Sequence, residues 1–246
     1  MPYDLANLPL SEMTQLGVAL RKIGVGATSV EDVAERVVRL LYDEFRDSTT
    51  AERACVLVRF YFTTPYAILD EDLRAFGSKL MAGLQLKPET RCLTLLATAG
   101  EKPEWNSRKK SEGHQTIPLP SEQVVHTLPM VSQLLAQLGL DLGTVLTPSP
   151  ELVLETEQRT YNVFFVQEAL ESPFIPAQKD FVIPYKVRSV LGFGGLLPSG
   201  DVYAVLLFSR IVISKHTADV FRNAAMNLKL ALLPLREAPV FTKPGL

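Results

Sequence analysis

"FVIPYKVRSVLGFGGLLPSGDVYAVLLFSR", residues 181–210, holds four of the chain's 14 glycines, and its reading decides the fold. A glycine-rich loop opening onto a helix would make it a phosphate cradle, whereas two strands joined by a turn would make it a sheet hairpin. Val187–Leu197 and Val202–Arg210 are strand-like runs on either side of "PSGD", residues 198–201, and proline, serine, glycine and aspartate are the residues a tight turn recruits. Gly192, Gly194 and Gly195 give G-x-G-G without the later glycine of a dinucleotide fingerprint, and strand rather than helix follows. The stretch predicts a hairpin. Its glycines mark a bulge or a place where backbone or ligand approaches closely.

Working outward, "SKHTADVFRNAAMNLKLALLPL" has Ser214 as N-cap and an apolar stripe through Val220, Phe221, Ala224, Ala225, Leu228, Ala231 and Leu232, which predicts a long amphipathic helix. At the other end, Met13, Leu16, Leu20 and Ile23 share one helical face and Val33, Val37, Leu40, Leu41 and Phe45 another. Gly24 and Gly26 separate these two helices, and Thr28 with Glu31, or Ser29 with Asp32, opens the second. "ACVLVRFYFT" (54–63), "TRCLTLLATAG" (90–100) and "TYNVFFVQEA" (160–169) read as strands, with a helix over "ILDEDLRAFGSKLMAGL" between the first two. Residues of about 101–120 form a long polar excursion with three consecutive basic residues, Arg108, Lys109 and Lys110, and read as a solvated loop. "SEQVVHTLPMVSQLLAQLGL" is helical with a kink or break at Pro129, and the prolines of "LESPFIPAQKDFVIPYK" leave room for one helical turn.

Hydrophobic residues make up 47% of the 246 and charged residues 21%, ample for a packed core and incompatible with wholesale disorder. A formal charge of −2 gives no pull toward nucleic acid or an anionic membrane. No apolar run approaches the roughly 20 residues a membrane span needs, and the N-terminus lacks a basic segment followed by an apolar one, so a cytoplasmic protein is expected. Cys55 and Cys92, each among aliphatic neighbours, read as structural thiols rather than a disulfide scaffold or zinc cluster. Arg91 beside Cys92 gives no activation, since adjacent strand residues point to opposite faces. His114, His126 and His216 form no metal or general-base motif, so no metal site is assigned and no cofactor is named.

Arg188 and Arg59 sit inside strand-like runs, where a charged side chain must reach solvent, a carboxylate or a ligand anion. Together with Tyr185, Phe193 and Tyr203 they are the candidate lining of a ligand pocket, set against edge exposure or an internal salt bridge for the arginines.

The order of elements resembles the GAF family of sensory domains. "SVEDVAERVVRLLYDEF" (29–45) looks like its opening helix, "DFVIPYKVRSVLGFGGLLPSGDVYAVLLFS" (180–209) like its penultimate hairpin, and "SKHTADVFRNAAMNLKLALL" (214–233) like its closing helix. "SPFIPAQKDFV", "RSVLGFGG" and "AVLLFSR" are similar to input segments that precede bacterial sensor kinases, which implies a role in signal transduction. The resemblance implies one α+β domain over 11–233 with a central antiparallel sheet. Helices from both chain ends would pack on one face and short helices and loops on the other. Residues 1–10 and 234–246 read as tails, and the proline-rich end as the close of the chain rather than a heptad relay.

No ligand comes with the resemblance. Cyclic-nucleotide binders carry Asn-Lys-Phe-Asp-Glu, for which this chain offers only "QKDF" at 178–181. Bilin binders carry cysteine followed by histidine, yet Val56 follows Cys55 and Leu93 follows Cys92. Members that reduce free methionine sulfoxide use several cysteines around the pocket, and this chain has two. The expectation is a non-catalytic regulatory module that binds a small molecule or a protein partner and relays it through its terminal helices. A homodimer is expected, with a signalling protein such as a kinase as a further partner. The rival readings are a ligand-free scaffold domain and a thiol-based redox enzyme.

Overall fold

The computed structural model describes residues 2–157 and 162–242. Two short strands, β1 (Tyr3–Asp4) and β2 (Phe45–Arg46), pair in parallel beside helices α1 (Leu10–Ile23) and α2 (Val30–Glu44). The main sheet follows, with β3 (Cys55–Pro65), β4 (Arg91–Gly100), β5 (Thr116–Leu119), β6 (Val163–Val166), β7 (Ser189–Leu196) and β8 (Val202–Ser209). Its six strands are antiparallel in the order β5-β4-β3-β8-β7-β6.

The deciding stretch is a hairpin, paired without interruption from Ser189 opposite Ser209 to Leu196 opposite Val202. The Gly200 amide donates to the Leu197 carbonyl at 2.8 Å, and Gly200 takes φ +81°, a left-handed conformation that glycine adopts freely. Of the two roles open to the strand glycines, close approach is the one found. A Cβ on Gly194 would lie 2.1 Å from the Tyr203 carbonyl oxygen. The register shifts of the sheet fall instead in β3, between Phe60 and Tyr61 against β4 and between Cys55 and Leu57 against β8.

Strand alternation sends side chains to two buried faces, which is why the central strands read as almost continuous apolar runs. On one face Phe60, Phe62, Phe193, Tyr203, Val205 and Leu207 pack against Leu16, Leu20, Val37 and Leu41 of the N-terminal helices. The same core takes in Phe221, Leu228 and Leu232 of the C-terminal helices α8 (Lys215–Val220) and α9 (Arg222–Leu232). On the other face Leu57, Tyr61, Leu93, Leu95, Leu206 and Phe208 meet a layer of short helices. Its apolar residues include Leu134 and Leu135 of α5 (Pro129–Gln137) and Val145 of α6 (Leu142–Leu146). The architecture is α+β with the terminal helices together on one face, as expected.

Local chemistry explains the helix starts. Ser29 caps α2 by accepting from the Asp32 amide, Asp70 caps α3 (Glu71–Leu80), Ser121 caps α4 (Glu122–His126) and Ser214 caps α8. Pro129 breaks the helix predicted across it and begins α5, where its missing N–H has no partner to lose.

Several expectations are corrected. The closing helix is interrupted at Phe221, which links α8 to α9. The polar excursion is solvated only in part: residues 101–104, 109, 110 and 112–114 are exposed, but it also contains a 3₁₀ turn, Pro103–Asn106, with Trp105 buried, and then β5. The N-terminal segment buries Leu5 and Leu8, and residues 239–242 lie against the start of α2, whose Val30 and Glu31 amides donate to the carbonyls of Pro239 and Val240. These segments are packed parts of the domain. The segment between α5 and β6, for which no element is predicted, supplies α6 and α7 (Pro150–Glu157). Thr160 and Tyr161, read as strand, lie outside the described residues. Among those described, no helix is long and apolar enough to cross a membrane.

Candidate functional site

The sheet face turned away from the terminal helices carries two adjoining cavities. The inner one, of about 130 Å³, lies between β3, β4 and β8 and the start of α5, walled by Tyr61, Leu93, Ile117, Leu134 and Leu206. The outer one, of about 310 Å³, lies between Leu57, Trp105 and the segment Ile175–Phe181. Arg59, His114, Met130, Pro176 and Phe208 border both. The break at Pro129 brings Met130 to the shared border, and the turn of π-helix at Gln178–Val182 brings Phe181 to the outer wall.

Arg59 is the polar centre of this cleft. It projects from β3, is 7% exposed, and uses its terminal nitrogens on the loop between the 3₁₀ turn and β5. Nη2 donates to Ser111 Oγ at 2.9 Å and to the Glu112 carbonyl at 3.1 Å, and Nη1 donates to the Gly113 carbonyl and the Tyr61 hydroxyl, both at 3.3 Å. The Nε is buried and has no hydrogen-bond partner. Gly113 and His114 both have positive φ, +72° and +53°, so the loop turns sharply over the guanidinium and sets His114 at the cleft border. Desolvation, and secondarily the charge of Arg59, hold the His114 imidazole below its ordinary pKa.

The outer wall continues into an aromatic cluster. Tyr185 stands 4.8 Å from the Trp105 ring centre, and Phe181 meets Trp105, Tyr185 and Phe208 at 5.6, 5.9 and 5.1 Å. The Lys102 ammonium lies 5.4 Å from the Trp105 centroid and 5.2 Å from that of Tyr185.

Of the five residues predicted to line a pocket, Arg59 does so and Tyr185 packs behind the outer wall. The other three are elsewhere. Phe193 and Tyr203 point to the opposite face and are wholly buried among the terminal helices, where Tyr203 donates its hydroxyl to the Ala225 carbonyl at 2.9 Å. Arg188 precedes β7, is exposed, and joins the sheet through its backbone. Sequence reasoning weighed His114 only as a metal ligand or general base and passed over Met130 and Phe208. The glycine before His114 and the proline before Met130 are the local signals that could have found the first two.

Cys55 is buried in the helix-side core and Cys92 in a small cluster with Leu69 and Leu73, and neither borders the cleft. Burial pushes each thiol up to about 12. Among the described residues no group of three His, Cys, Asp or Glu side chains could hold a metal ion.

No protein-family model matches the sequence, and no curated protein matches it. Among solved structures the chain is similar to the free methionine-R-sulfoxide reductase of Neisseria meningitidis, solved with its substrate. The two share 11% identity with a TM-score of 0.51, over 96% of this chain and 98% of that one. It is also similar to the GAF domain of a phosphoenolpyruvate-protein phosphotransferase from Coxiella burnetii, at 12% identity and a TM-score of 0.44, over 93% and 96% of the two chains. Identity this low carries the fold alone. The reductase corrects one expectation: an enzyme shares this fold, so the fold gives no ground for calling the domain non-catalytic. The chain has an α+β fold shared with the reductase and a cleft of two adjoining cavities on the sheet face opposite its terminal helices.

Proposed function

We propose that the chain is a signalling module that binds a small molecule in the cleft beside Arg59 and relays its occupancy to the terminal helices. The observation that carries this reading is the cleft itself, apolar in its inner half and bordered by one buried cation. An open cleft argues against a scaffold domain whose pocket has filled with side chains. Two buried thiols of raised pKa, both away from the cleft, argue against a thiol nucleophile acting there.

The relay follows from strand geometry. Leu206 and Phe208 of β8 border the cleft while their neighbours Val205 and Leu207 pack under the helices, so a displacement of β8 by a ligand is felt on both faces. The terminal helices also expose Leu10, Val18, Met226 and Leu230, an apolar surface suited to a second copy of the chain or to a kinase partner. Two free buried thiols suit the reducing conditions of a cytoplasm.

Native mass spectrometry tests the reading. After incubation with a bacterial small-molecule extract, the wild type is expected to carry an excess mass that is lost on denaturation. Met130→Trp, which fills the shared border of the cavities, is expected to carry none. Equal excess on both proteins, or none on either, contradicts it. The same spectra report copy number, for which two is expected.

A further inference from the structure

Arg59 carries a charge that it cannot shed, because a guanidinium stays protonated throughout the accessible pH range. A side chain that buried is ordinarily matched by a carboxylate. Two part-buried arginines follow this rule, Arg91 pairing with Asp201 at 2.8 Å and Arg108 with Glu31, whereas part-buried Arg39 bonds to Asn106 instead. Among the described residues Arg59 has no ion-pair partner, and Glu112, beside it, contributes only its backbone carbonyl. Its Nε, like that of ion-paired Arg91, is left without a hydrogen bond, and the Arg59 side chain borders both cavities.

A buried donor without a partner and a buried cation without an anion point to the same missing group. We propose that the cleft takes a monoanionic carboxylate with an apolar body, its carboxylate against the guanidinium of Arg59 and its body along Leu93, Ile117, Leu134 and Leu206. The inference rests on the cleft being a ligand site, as proposed above. The walls select the single charge. The inner cavity borders on no second lysine or arginine, and the outer one is lined by Glu112 and Asp180 as well as Lys102, so a dianion such as a phosphate monoester would meet repulsion there. A cationic ligand would face Arg59 itself.

Isothermal titration of the full chain with octanoate, octan-1-ol and octylamine tests this, since the three share a body and differ in charge. Wild type is expected to bind octanoate about tenfold or more tighter than octanol, the range for a hydrogen bond to a charged group, and to bind octylamine weakest. Arg59→Met is expected to bring octanoate and octanol to within about threefold of each other, while Arg59→Lys, which keeps the charge, retains the preference and covers a Met variant that fails to fold. Octanol binding as tightly as octanoate in wild type, or a preference that survives Arg59→Met, overturns the carboxylate and leaves the cleft as an apolar site. No octanoate binding also overturns it; the ligand-site reading falls with it only if native spectra show no retained mass. Unchanged octanoate binding by Met130→Trp overturns both, because the site is then elsewhere.

Discussion

Arg59 and Leu206 are direct partners across β3 and β8, a fixed cation opposite an aliphatic side chain, and both face the inner cavity. The pair gives the cleft its two chemistries, one ionic and one apolar, on adjoining strands of a rigid sheet. Its two sides respond differently to substitution.

Arg59→Met removes four donated hydrogen bonds and one unpaired buried charge. The two effects oppose each other, so global stability should change by about 1 kcal/mol or less, measured by urea unfolding. The loop at 111–113 depends on those donors and should lose protection. Hydrogen exchange of the Ser111 amide, which donates to the Ser107 carbonyl, is expected to quicken while that of β7 and β8 holds. Unchanged exchange in the loop would show that Arg59 does not hold it.

His114 reports on the same cation. Its pKa is lowered in the fold, so the neutral ring contributes stability above its ordinary value near 6.5, and that contribution is lost as pH falls from there through the lowered value. An NMR titration should place the His114 midpoint below the ordinary value near 6.5. Arg59→Met should raise it part of the way only, since desolvation is the larger cause.

Both thiols should resist modification. With pKa values of about 12 and no solvent contact, Cys55 and Cys92 should fail to react with a thiol reagent at pH 8 in the folded protein and react fully in guanidinium. Because the folded-state values are raised, the stability they lend is whole below about pH 9 and lost as pH climbs toward 12. Rapid labelling of either thiol in the native state would contradict the packing described here.

Gly194→Ala should be among the costliest small substitutions. Its Cβ would meet backbone on the partner strand, at 2.1 Å from the Tyr203 carbonyl oxygen and 2.9 Å from the Ala204 Cα, and neither can step aside without opening the hairpin. A loss of about 3 kcal/mol or more is expected, at the top of the overpacking range. Gly26→Ala has open space and meets only the strain of a positive φ of +70°, about 1 kcal/mol. Comparable unfolding midpoints for the two variants would contradict the close strand approach.

The layered fold was legible because its signals are local. The PSGD turn, the Ser29 and Ser214 caps and the apolar stripes each need only a short window. Arg59 was legible for a related reason, as a charge within a strand-like run demands an explanation wherever it points. Which face a strand residue takes is not local. Phe193 and Tyr203 could be assigned to the helix side only once the register of β7 against β8 was known, since a shift of one residue exchanges the faces. The irregularity between Phe60 and Tyr61 defeats simple alternation in β3 as well. β5 escaped because four edge residues that include Pro118 have too little pattern to show, and α6 is too short to display helical periodicity.

The most direct test of ligand binding with relay uses methyl-labelled methionine. Met130 borders the cleft, Met13 lies in the helix-side core on α1, and Met226 is exposed on α9. On titration with octanoate the Met130 methyl resonance should shift with saturation, and those of Met13 and Met226 should follow with the same midpoint although neither touches the cleft. A Met130 resonance that does not move when octanoate is added, or one that moves while both helix methyls stay fixed, would contradict the account.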